Sequence, residues 1–376
     1  MRKFEKADLG KLPENSRFPL LHFVITPDVL FDEDGMKLSG ITFLKKFLNL
    51  HKFGPKDDFG FADTKRLLVK VSIVALKNPS KIGDFFEALK KADFEEFFDQ
   101  SLFEVIFIGN NKNTKNTLVY LVDVLNADLF LSADEELVRH VMNEGFLSVK
   151  TIPKRHQEVK SEVPFVLAID FDGVLADDSA DREYEKYGLV RFNEYETENE
   201  GKPLLWGPFV DFSIRCAVLR SVFPDDYSMS PFQIVLATVR GSTRFCRAKL
   251  TYEQFNFAPD MVFGSCGEPK GKLLEALSVD LFIDDSKQHV EDATRNAVYA
   301  VHALYGYKNR KSPCLNTKKS IFVFLKEKEK IAITGKILPR VNKKVSKQKP
   351  KKKEMWKILI LVLNLHIQYL VHVTSA

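Results

Sequence analysis

The feature that most constrains this chain is a pattern written twice. "LNADLFLSADEELVRHVMNEGFLSVKTI" (Leu125 to Ile152) aligns without a gap on "LSVDLFIDDSKQHVEDATRNAVYAVHAL" (Leu277 to Leu304). Both run Leu-x-x-Asp-Leu-Phe-aliphatic, then a polar turn, a helical stretch and a second short apolar strand. Two more blocks keep the same order. "HFVITPDVLFDEDG" (His22 to Gly35) mirrors "LAIDFDGVLADDSA" (Leu167 to Ala180), and "VSIVALKNPSKIGDFFEAL" (Val71 to Leu89) parallels "FQIVLATVRGSTRFCRAKL" (Phe232 to Leu250). Short apolar runs alternating with helical patterns imply parallel strands covered by helices on both faces. The expected fold is α/β, with two tandem parallel-sheet domains from an internal duplication. They span residues 18–152 and 165–307, joined by the polar, proline-bracketed linker 153–164. The stretch 177–232 leaves room for a small cap insertion in the second.

The halves differ at their strand tips. Where the second carries Asp170 and Asp172, the first carries Thr26 and Asp28; Asp284 and Asp285 face Ser132 and Ala133; Thr238 aligns near Leu76. The first half keeps the apolar frame and loses most of the acids, which suggests a structural or regulatory part. In open α/β sheets ligands bind beyond the carboxyl ends of the strands. Asp170, Asp172, Thr238, Asp284 and Asp285 all fall there and would converge on one crevice. Carboxylates crowded together raise one another's pKa unless a cation neutralises them. Mg²⁺, bound through a few carboxylates, water and a substrate phosphate, is the economical partner.

Composition narrows the class without naming the chemistry. With 376 residues, 45% hydrophobic and 28% charged, the chain suits a globular protein of two ordinary domains. The formal charge of +5 sits largely in "VNKKVSKQKPKKKEMWK" (Val341 to Lys357), so it is weak support for nucleic-acid binding. Four cysteines with no C-x-x-C pairing suit a reducing compartment, and the N-terminus lacks a secretory apolar core. A cytoplasmic protein is expected. The tail, 308–376, ends in "WKILILVLNLHIQYLVHV" (Trp356 to Val373), an apolar run interrupted by Asn364, His366, Gln368 and His372. An interfacial helix, a membrane anchor and an aberrant C-terminus all stay open for it.

Asp-x-Asp after one strand, Thr at the next strand end, a Lys and a paired-Asp strand end resemble the haloacid-dehalogenase superfamily of phosphohydrolases. "DGVLADDSADREYEKYGLVRFNEYETENEGKPLLWGP", "LATVRGS", "GEPKGKLLEAL" and "LFIDDSKQHVEDA" narrow the resemblance to the cytosolic 5′-nucleotidase I family. It implies Asp170 as nucleophile, Asp172 as acid and base, and Thr238 and Lys270 on the phosphate. It also implies Mg²⁺ held by Asp170, Asp284 and Asp285, with the backbone carbonyl of Asp172. Lys272 competes with Lys270 by proximity, although "EPKG" matches at Lys270. Arg240 is a further candidate for phosphate, His289 a neighbour of the site, and Trp206, Phe192 and Tyr195 candidates to stack a base. Phe171 stands where the family usually has Gly, and the acidic run after the first strand is reduced to Asp178-Ser179-Ala180-Asp181.

The expected activity is Mg²⁺-dependent hydrolysis of nucleoside 5′-monophosphates of the AMP or IMP kind, through an aspartyl-phosphate. Another small phosphate ester, such as a sugar phosphate, is the alternative substrate. A non-catalytic scaffold whose tail contacts membrane or polyanion is the alternative class. Homo-oligomerisation is left open.

Overall fold

The computed structural model describes residues 19–54, 67–76, 82–109, 113–155, 164–241, 245–255 and 257–309. Most of the expected linker, and the tail from residue 310 with its apolar run, lie outside the described residues. The strands are β1 (Leu21–Ile25), β2 (Val69–Ala75), β3 (Phe103–Phe107), β4 (Leu129–Ser132), β5 (Ser148–Thr151), β6 (Phe165–Asp170), β7 (Phe232–Thr238), β8 (Met261–Gly264), β9 (Leu281–Asp284) and β10 (Ala300–His302). They make one ten-stranded sheet in the order β3-β2-β1-β4-β5-β10-β9-β6-β7-β8. Neighbours are parallel within each half. The halves meet at an antiparallel seam, where Thr151 faces Val301 and Lys150 faces His302. Numbered within its own half, each set of five strands has the order 3-2-1-4-5.

Continuous apolar runs explain the central strands: every residue of β6 and β7 is buried, as a sheet covered on both faces requires. The helices that cover it are α1 (Gly40–Asn49), α2 (Ile82–Lys90), α3 (Glu95–Asp99), α4 (Thr114–Val124), α5 (Glu135–Asn143), α6 (Ser179–Glu198), α7 (Val210–Arg220), α8 (Phe245–Gln254), α9 (Gly271–Ala276) and α10 (Lys287–Arg295). Helix α5 shows the local logic. Asp134 accepts from the backbone N–H groups of Glu136 and Leu137 at its start, and Leu137, Val138 and Val141 bury one face. Helices α6 and α7 fill the stretch between β6 and β7. Helix α6 breaks at Gly188 (φ 78°, ψ −175°), a conformation that L side chains avoid. The chain folds back there, so Tyr184 meets Phe192 edge-on at 6.1 Å and Arg191 reaches Glu183.

The repeat is visible in the backbone as well as in the strand order. Asn126 and Ser278, equivalent in the alignment, both take left-handed φ (50° and 53°), as do Gly145 and Ala297 (94° and 63°). Asp128 and Asp280, also equivalent, each cap the first strand of their own half, through the N–H groups of His22 and Val166. Each then takes a cation from the other half: Arg215 of α7 at 2.6 Å and Lys46 of α1 at 2.8 Å. The core is shared in the same way. Phe47 of α1 stacks on Phe23 at 4.3 Å and leans on Phe165 of the second half at 5.7 Å, and Phe43 stacks on Tyr299 at 4.3 Å. The two halves therefore share one sheet and one core, so the described residues make a single compact unit. The face of α1 that an isolated first half would leave to water is covered by the second.

Candidate active site

Three strand ends and one turn build the site. Asp170 closes β6, Thr238 closes β7 and Asp284 closes β9, while Lys270 sits just before α9. All lie on the carboxyl edge of the second half's strands. The Lys270 ammonium is fully buried and donates to Asp170 Oδ1 (2.6 Å), Asp284 Oδ2 (2.8 Å) and the Ala237 carbonyl (3.2 Å). Lys272 is exposed, so the geometry separates the two lysines that spacing could not. Asp284 Oδ1 accepts from the Ser286 N–H at 2.7 Å, and His289 Nδ1 lies 3.2 Å from Oδ2.

Asp285 is the unusual member. Both of its carboxylate oxygens are buried without a hydrogen-bond partner among the described residues. Gly173, at φ +78°, lies against it; a Cβ there would come within 2.5 Å of Oδ2. The turn after β6 therefore has to be glycine, for conformation and for space. Oxygens of Asp170, Asp284 and Asp285 fall within 4.8 Å of one another. Burial lifts Asp170 to about 7, helped by the charge on Asp284 and opposed by Lys270. Burial likewise lifts Asp285 to about 9, against the pull of Lys308 and with the charges of Asp284 and Asp170 adding to it. Burial would raise Asp284 too, but Lys270 and His289 outweigh it and hold it below the usual carboxylate range. Lys270 thus bridges two of the carboxylates with one positive charge and leaves the third without a hydrogen bond among the described residues. An all-oxygen donor set with orphaned oxygens and a backbone cradle fits a hard divalent cation.

The Asp172 carboxylate stands apart from that cluster. Arg240 holds both its oxygens, Nε to Oδ2 at 2.8 Å and Nη2 to Oδ1 at 2.7 Å. The third branch, Nη1, donates to Glu196 near the end of α6, and Arg247 of α8 donates to the other Glu196 oxygen at 2.6 Å. Arg240 is fully buried, with Phe171 and Phe192 rings at 5.1 and 5.8 Å. Burial works against its charge, and Asp172 and Glu196 more than restore it. Arg240 thus lies beside the site with its donors on carboxylates, and its own N–H donates to the Thr238 hydroxyl at 3.2 Å. The aromatic candidates are packed. Trp206 meets Phe255 edge-on, Phe192 faces Tyr184 and Arg240, and Tyr195 lies under Arg247.

In the first half the equivalent tips also meet. The Thr26 and Ser132 hydroxyls, which stand where the second half has Asp170 and Asp284, bond to each other and to the one acid that remains, Asp28. Sequence reasoning missed Glu196, Arg247 and Lys308. Glu196 lies inside the segment that carries the resemblance, but a Glu in a helix and an Arg after a turn are ordinary surface patterns, so neither stands out by itself. Lys308 lies just past the expected boundary, where it donates to Asp181 at 2.5 Å; next to it, Asn309 donates to the Asp285 carbonyl at 2.8 Å.

Among the described residues no helix is long and apolar enough to cross a membrane. The sequence model of the 5′-nucleotidase family matches residues 112–310. Cytosolic 5′-nucleotidase 1B of Homo sapiens is 25% identical over 232 residues, a match that takes in 55% of this chain and 38% of that protein. The chain therefore spans well under half the length of that relative. Two solved structures of Pnkp1/Rnl/Hen1 complexes, one described as an RNA repair complex, align at 14% identity over 78% and 77% of this chain and 99% and 97% of theirs. Their TM-scores of 0.25 and 0.26 are too low to carry a fold argument. The family match covers more than half of the sequence and includes every residue of the strand-end cluster: the chain belongs to the 5′-nucleotidase family.

Proposed function

We propose that the chain is a Mg²⁺-dependent 5′-nucleotidase that releases phosphate from nucleoside 5′-monophosphates of the AMP or IMP kind. The observation that carries the reading is the buried Asp170, Asp284, Asp285 cluster with Lys270 beside it. Asp170, Asp284 and Asp285 would hold the ion, with the Asp172 backbone carbonyl, and it would supply charge to orient phosphate and offset the crowded acids. Asp170 attacks phosphorus in line; the new O–P bond forms as the bond to the nucleoside oxygen breaks. Asp172 gives its proton to that leaving oxygen, then takes one from the water that attacks the aspartyl-phosphate. Free phosphate leaves and Asp170 is regenerated. Lys270 and the Thr238 hydroxyl stabilise charge on the phosphoryl oxygens.

Matching strand order, matching left-handed positions and reciprocal ion pairs support descent of the two halves, 18–152 and 165–307, from one duplicated unit. Helices α6 and α7 would be the cap over the second half's crevice. A cytoplasmic location follows from the same reading.

The test is phosphate release from AMP, IMP, dTMP and a sugar phosphate, with Mg²⁺ and with EDTA. Release from nucleotides that EDTA abolishes is expected. Asp170→Asn should lower it by at least about a thousandfold, since a nucleophile is lost. Release from the sugar phosphate alone would move the substrate, and a folded protein inert toward all four would sink the reading.

A further inference from the structure

Asp172, Arg240, Glu196 and Arg247 form one unbroken chain of alternating charge. It starts in the turn after β6, crosses the exit of β7, reaches the end of α6 and finishes on α8. Every link is a direct bond, and side-chain exposure falls at or below 6% along its whole length. The far end is also fixed, because Arg247 Nε donates to the Lys202 carbonyl at 2.8 Å. A two-pronged hold on a carboxylate sets its plane as well as its position. Acid–base catalysis depends on that plane, because a proton is passed only over hydrogen-bond distance and along a lone pair.

We infer that Arg240 and Glu196 are positioning residues for Asp172: Glu196, fixed on α6, aims the Arg240 fork, and the fork sets the carboxylate that exchanges protons with the leaving oxygen and with water. The inference rests on the function proposed above and adds to it. It makes α6 part of the acid–base machinery without touching substrate. The proton balance is unchanged: Asp172 gives one proton to the leaving nucleoside oxygen and recovers one from water, while Arg240 and Glu196 exchange none. A plain structural role for the same bonds would hold α6 to the core and nothing more, so the two accounts differ in what they predict for the chemistry.

The experiment compares wild type, Asp172→Asn, Glu196→Gln and Arg240→Lys in Mg²⁺, with AMP and with p-nitrophenyl phosphate. With AMP the leaving group is the nucleoside alkoxide, a poor one that needs the proton from Asp172, whereas nitrophenolate leaves without one. Glu196→Gln keeps size and removes charge; Arg240→Lys keeps charge and removes the fork. Both are expected to lower kcat for AMP between about ten- and a hundredfold. KM should stay within about twofold, and the first turnover of nitrophenyl phosphate should keep its rate. Equal losses on both substrates, or a raised KM at unchanged kcat, overturns the inference. If Glu196→Gln fails to fold, Arg240→Lys reads the same split. Full activity of Asp172→Asn would sink the proposed mechanism and this inference with it. An inactive Asp172→Asn beside Glu196→Gln and Arg240→Lys at wild-type rates would sink this inference alone.

Discussion

Burial acts on His22 as it does on the strand-end acids, but away from the candidate site. The ring is 2% exposed, donates from Nδ1 to the Leu125 carbonyl at 2.9 Å and sets Nε2 2.7 Å from Ser72 Oγ. Burial first, and then the charge on Lys70, lower it from 6.5 to about 4, with Glu104 acting weakly the other way. The native protein therefore resists protonating His22 until about pH 4, while the unfolded chain takes the proton near pH 6.5. Between those values the unfolded state binds more protons, so stability falls as pH falls. The loss from this one group is up to about 3 kcal/mol. Urea unfolding from about pH 7 down to about pH 5 should show a steeper loss for wild type than for His22→Gln; parallel slopes would mean that the ring takes its proton at the same pH in the folded and unfolded chain. Nothing in the sequence marked His22, since a histidine in an apolar run reads as one more strand residue. Asp170, Asp172, Asp284 and Asp285 could be read because carboxylates placed after apolar strands break a pattern. Glu196 and Arg247 break none, and only the fold brings them together.

At the scale of elements, the strands were legible because buried runs such as "FQIVLAT" have few other uses, and their ends located the site. The hinge in α6 was not, because "REYEKYGLVRFNEYE" has helical polarity on both sides of its single glycine. Gly188 has no atoms within 4 Å of the place where a Cβ would sit, so its substitution tests backbone conformation alone. Gly188→Ala should cost about 1–3 kcal/mol, concentrated in α6. Amide hydrogen exchange would show faster opening of 179–198 with β6 and β7 unchanged. Equal protection in both proteins would mean that the helix runs straight through the glycine in solution. The break explains why the end of α6 reaches Arg240 at all: a straight helix of that length would carry Glu196 away from Ser179.

For the molecule as a whole, the reciprocal ion pairs bind one half to the other, and they are unequal. The Lys46 and Asp280 side chains are 8% and 10% exposed, whereas Arg215 is 43% exposed. Lys46→Met would strand a buried carboxylate and should cost about 3 kcal/mol. Arg215→Met also leaves a buried carboxylate, since Asp128 is 7% exposed, but it removes a guanidinium already screened by water and should cost less than Lys46→Met. Urea unfolding at neutral pH measures both, and equal effects would show that the buried pair is not carrying the load assigned to it. Both variants should still unfold in one transition, because Phe23, Phe47, Phe165 and Phe212 form a single cluster. The repeat was readable as two domains; the shared sheet was not, because pairing of β5 with β10 depends on two short strands with no distinctive residues. That seam gives the first half a use that requires no ligand. Without it β10 would be an open edge, a row of unpaired amides and carbonyls able to recruit a strand from any other chain. A half with fewer acids at its strand tips can still be selected as a guard against aggregation. Its strand tips would then be free to drift, while β5 would be held to a sequence that keeps pairing.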